Sequence, residues 1–65
     1  MNLHNSLYHK LIQFLKDELA MSPDSLAIAQ RASEQNLGPI PMVLWQYGLI
    51  TIEELERIYD WLEAV

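Results

Sequence analysis

Ser22-Pro23-Asp24 and Ile50-Thr51-Ile52-Glu53-Glu54-Leu55 each announce the start of a helix, and together they divide the chain into two halves of similar design. The Ser22 hydroxyl is placed to accept from the unpaired N–H groups of a following helix. Pro23 suits the first helical position because it has no N–H to lose, and Asp24 complements the positive end of the helix dipole. Thr51 and Glu54 have the T-x-x-E spacing of a capping box, in which each side chain satisfies the other's backbone N–H, and Ile50 with Leu55 can close a hydrophobic staple across it. These start signals predict helices over residues 23–35 and 52–63.

Upstream of Ser22, Leu7, Leu11, Leu15 and Leu19 recur with Tyr8 and Ile12 at three- and four-residue spacing, the pattern of a helix with one apolar stripe. Asn5 or Ser6 can cap it, which gives a first helix over residues 6–20. In the second helix Leu26, Ala29 and Ala32 or Ser33 turn inward, small residues that let a neighbour approach closely, and Asn36 and Gly38 mark its end. Gly38-Pro39-Ile40-Pro41 interrupts regular helix. Pro41 then opens a two-turn third helix over residues 41–47, with Gly48 as the left-handed residue that ends it. In the fourth helix Leu55, Ile58, Tyr59 and Leu62 form the expected core stripe, while Glu53, Glu56, Asp60 and Glu63 form an acidic ridge on the opposite side.

Phe14-Leu15, Ser22 and Leu26 match Val43-Leu44, Thr51 and Leu55 at an offset of 29 residues, so each half reads helix, capped turn, helix. The expected fold is all-α: a small four-helix orthogonal domain made of two helix-turn-helix hairpins that share one core, with residues 1–65 as a single domain. Hydrophobic residues make up 51% of the chain against 20% charged, a globular balance. At this length burial only just offsets conformational entropy, and with no Cys there is no disulfide to help, so a homodimer is an open expectation.

The formal charge of −5, from nine acidic and four basic residues, repels phosphate backbones and argues against sequence-independent nucleic-acid binding. A helix-turn-helix reader remains geometrically open, but in its reading helix Arg57 stands among five acids. The longest apolar run, Ile40 to Trp45, has six residues where a membrane span needs about 20. Met1 to Ser6 lacks the basic and apolar regions of a secretory signal, and the expected location is the cytoplasm.

No side-chain set points to catalysis, a metal or a cofactor. His4 and His9 are five apart, which does not place them on one helix face as a metal pair. Asp17 with Glu18, and Glu53 with Glu54, are adjacent carboxylates that diverge by about 100° on a helix and read as solvated faces. Ser22 is explained as a cap, no phosphate-binding glycine motif occurs, and the chain reads as non-enzymatic.

Leu11-Ile12-Gln13-Phe14-Leu15 and Pro41-Met42-Val43-Leu44-Trp45-Gln46-Tyr47-Gly48-Leu49-Ile50-Thr51 resemble a cyanobacterial small-protein family, domain of unknown function 2949, over nearly the whole chain. That resemblance implies a source group and no activity. More distantly, Leu37-Gly38, Val43-Leu44 and Gly48-Leu49-Ile50-Thr51 with Leu55 resemble the N-terminal domains of type II secretion and type IV pilus ATPases. Some of those bind cyclic di-GMP through an Arg before the Leu-Gly pair. Here Asn36 stands in that place and prolines occupy 39 and 41, so the ligand is less well supported than the fold.

Tyr8, Phe14, Trp45, Tyr47, Tyr59 and Trp61 are many aromatics for so small an interior. Trp45 and Tyr47 cannot both point inward from a two-turn helix, and Trp61 falls at the margin of the fourth helix's stripe. The sequence therefore predicts a protein–protein interaction module in which Met42, Trp45, Tyr47 and Trp61 form an apolar patch bordered by Glu53, Glu56 and Asp60, with basic groups on the partner. The rival expectation is a cyclic-dinucleotide sensor using the backbone around Leu37-Gly38 and Gly48.

Overall fold

Four helices follow one another with short connections: α1 (Leu3–Asp17), α2 (Pro23–Glu34), α3 (Ile40–Gln46) and α4 (Ile52–Ala64). They come from a computed structural model that describes the backbone of residues 3–65 and the side chains of residues 7–65. The all-α, four-helix class expected from the sequence is the observed one, and there is no strand among the described residues.

Both helix starts form as their residues dictate. The Ser25 N–H donates to Ser22 Oγ at 3.2 Å, and Pro23 takes the first turn of α2. At α4 the capping box closes in both directions: the Glu54 N–H donates to Thr51 Oγ1 at 3.1 Å and the Thr51 N–H to Glu54 Oε1 at 2.8 Å. Ile50 and Leu55, the two ends of the staple, are both buried in the core cluster.

The helix ends divide into two kinds. After α2 and α3 the chain makes the paired C-terminal bonds of a Schellman motif. Leu37 N–H reaches Ala32 C=O and Asn36 N–H reaches Ser33 C=O; Leu49 and Gly48 do the same to Leu44 and Trp45. Asn36 (φ 57°) and Gly48 (φ 73°) are the left-handed residues that make those closures, as expected for Gly48. α1 instead stops at Asp17, three residues short of the expected end, and the left-handed position falls on Ala20 (φ 51°), with Met21 N–H bonded to Leu15 C=O. No Gly or Asn marks this turn, so the periodic leucines carried the sequence-based helix too far.

The other departures are small. α1 starts at Leu3, so Asn5 and Ser6 lie inside it and do not cap it; their side chains fall outside the described residues. Leu7, expected in the stripe, is exposed, and the buried face of α1 begins at Leu11. α3 starts at Ile40, one residue early, because Pro41 costs no hydrogen bond in a first turn whose N–H groups have no helical partner. Ala32 and not Ser33 is the buried alternative on α2. Tyr59 is exposed and not core, since it lies past the edge of the arc that Leu55 and Ile58 occupy.

The core is assembled from one fully buried large residue on each of three helices, Leu15, Leu44 and Ile58, around Ala29 of α2. Small residues on α2 let that helix pack against both α1 and α3, and α3 packs in turn against α4. The backbones of α1 and α4 do not approach in this way; long side chains join them, with Phe14 and Trp61 stacked at a centroid distance of 4.8 Å and 21° between ring planes.

Two substitutions test the local chemistry of the turns. Ala20→Gly is expected to raise stability by about 1 kcal/mol, because a left-handed Ala is strained where Gly is not. Thr51→Ala is expected to lower it by about 1 kcal/mol through loss of the cap, with Thr51→Ser close to the parent. For a domain of this size each change corresponds to a shift of roughly 4–8 °C in Tm, measurable by circular dichroism.

Candidate functional site

Trp45 and Tyr47 stand at the exposed end of α3, 42% and 58% accessible, while Val43 and Leu44 of the same helix are buried. A two-turn helix that drives two adjacent residues into the core leaves the next positions facing outward. Met42 is half-buried and packs against the core cluster. Glu53, Glu56 and Asp60 are exposed on α4 as the ridge pattern requires.

Trp61 belongs to a different place. It is half-buried, stacked on Phe14, and lines a shallow cleft of about 290 Å³ with Lys10, Gln13, Phe14, Asp17 and Glu18 of α1. Met42, Trp45 and Tyr47 do not line it. The aromatics thus divide between an exposed pair on α3 and a stacked pair between α1 and α4. On α4 itself, Trp61 occupies one flank of the buried stripe, while exposed Ile52 and Tyr59, seven residues apart, share the other flank with Glu56.

Reading by periodicity missed Phe14 as a partner of Trp61, because the helices that carry them are separated by the whole of α2 and α3. The carboxylates of the cleft carried a signal of their own. Asp17 ends α1 and Glu18 follows it, at the negative end of the helix dipole, where anions are disfavoured. The Gln13 side-chain amide donates to Asp17 Oδ2, which helps to orient that carboxylate.

The remaining candidates are simple. His9 is exposed beside Tyr8, with ring centroids 5.6 Å apart, and the His4 side chain lies outside the described residues. No group of three or more His, Cys, Asp or Glu side chains that could hold a metal ion occurs among the described residues. Gly38 (φ 133°) and Gly48 both have backbone conformations that disfavour other residues; a Cβ on Gly38 would meet Val43 Cγ2 at an ordinary 3.8 Å, and on Gly48 it would meet nothing. Each glycine is thus accounted for by its dihedral angle. No helix among the described residues is long and apolar enough to cross a membrane.

Fold and surface together define a small helical domain with an exposed aromatic edge and an acidic face. Residues 8–63 match the family model described as protein of unknown function (DUF2949), and the chain belongs to that family. Comparison with curated proteins and with solved structures gives no match.

Burial, and then the negative charge of Glu34, raise the pKa of the Tyr8 phenol above the ordinary 10.0. A raised folded-state pKa favours the protonated form, so the associated stability is present below about pH 10 and is lost as pH rises through the folded value. Urea titrations at pH 8 and pH 11 should show a smaller alkaline loss for Tyr8→Phe than for the parent, with Glu34→Gln between them.

Proposed function

We propose that the protein is a non-enzymatic interaction module of the cytoplasm that binds another protein through the Trp45–Tyr47 edge of α3. The observation that carries this reading is the exposure of both aromatics immediately after the buried Val43 and Leu44. Large aromatic side chains left in water bury much apolar area when a partner covers them, and Trp and Tyr are enriched where binding energy concentrates. Exposed Glu53, Glu56 and Asp60, with the net charge of −5, favour a partner with basic groups around its contact surface. Such a surface repels membranes rich in anionic lipid and nucleic acid alike.

The resemblance to a cyanobacterial family makes a cyanobacterial lysate the place to look. Tagged protein is expected to retain one specific protein from it, and the purified pair should then be titrated by calorimetry. Trp45→Ala should weaken the pair by about 2 kcal/mol, roughly thirtyfold in Kd, with Tm within a few degrees of the parent. Equal loss of fold and binding would make Trp45 a structural residue. Recovery of the protein alone would point to self-association or a small ligand; the cyclic-dinucleotide reading, which rests on the Leu37-Gly38 and Gly48 resemblance, is disposed of by a flat titration with cyclic di-GMP.

A further inference from the structure

The cleft between α1 and α4 brings three features together on one surface. Its wall is the Phe14–Trp61 stack, which leaves Trp61 half-buried. One helical turn beyond Phe14, Asp17 and Glu18 place two carboxylates on the same cleft, about 5 Å further along the axis of α1. Those carboxylates sit where the carbonyl ends of α1 already concentrate negative charge, an unfavourable placement that Lys16 in the same turn offsets only in part. A bound cation would relieve that arrangement.

We propose that this cleft binds the guanidinium of an arginine side chain presented by a basic segment of a partner protein. The planar guanidinium can lie against the indole of Trp61 as a cation–π contact while its N–H groups donate to the Asp17 and Glu18 carboxylates. An ammonium fits less well, because it lacks the flat face and the fork of donors. Lys10, the cation lining the cleft, lies seven residues before Asp17, about 10 Å along the helix, and leaves the carboxylate end open. The charged lining side chains, Lys10, Asp17 and Glu18, carry a net negative charge, as does the whole chain, which draws a cationic guest. The inference rests on the interaction-module reading for its kind of partner, but its site is separate from Trp45 and Tyr47.

The test is a titration of isotope-labelled full-length protein with a capped tetra-arginine peptide, and with tetra-lysine for comparison, followed by amide and indole NMR resonances. The expected result is binding with a Kd of about 1 mM or tighter, resonance changes centred on residues 10–18 and the Trp61 indole, and at least about fivefold weaker binding of tetra-lysine. Asp17→Asn with Glu18→Gln should weaken arginine binding about tenfold or more while raising Tm, a pairing that a merely structural role would not produce. Lys10→Gln should bind at least as tightly as the parent. Equal affinity for the two peptides, changes centred on Glu53, Glu56 and Asp60, or no change at millimolar peptide would overturn the proposal. Trp45→Ala with Tyr47→Ala should retain the arginine site even where it abolishes capture of the protein partner, so the two readings fail separately.

Discussion

Leu15, Leu44 and Ile58 have no solvent exposure, and the arrangement of the helices follows from the need to bring these three together. They sit on α1, α3 and α4, which cannot converge on one point unless the intervening helix is narrow. The fully buried alanines of α2, Ala29 and Ala32, supply that narrowness. Each large side chain gains about 1.5–3 kcal/mol on burial, a large share of the net stability available to a chain this short. Every buried side chain among the described residues is apolar, so the interior makes no demand for compensating hydrogen bonds.

That economy explains the turns. With so little core, loosely held connections would be costly, and the chain marks the starts of α2 and α4 with side-chain caps and ends α2 and α3 with a left-handed residue. Leu15 and Leu44 are both seven residues ahead of their caps, Ser22 and Thr51, so the two halves keep one spacing. They differ in where the left-handed residue falls: two before the cap at Ala20, three before it at Gly48. The repeat is therefore kept in its buried and capping positions and relaxed in the turn between them.

The same shortage of interior accounts for the surface. Six aromatic side chains cannot be enclosed by four short helices, and the structure resolves the excess in two ways. Phe14 and Trp61 spend theirs on bridging the first and last helices, where no backbone packing does so. Trp45 and Tyr47 stay exposed to water just beyond the buried Val43 and Leu44.

By itself the sequence determined the class of fold, the two capped helix starts, the left-handed end at Gly48 and the acidic ridge of α4, because caps, dihedral preferences and helical periodicity act over fewer than eight residues. It also established the exposure of at least one of Trp45 and Tyr47, since a two-turn helix has one inner face. The end of α1 was not legible, because Ala20 carries no turn signature to mark its left-handed conformation. Nor was the pairing of Phe14 with Trp61, or the placing of Asp17 and Glu18 beside them. Those contacts join residues more than 40 positions apart, and only the closing of α4 against α1 decides which flanks of the two helices meet.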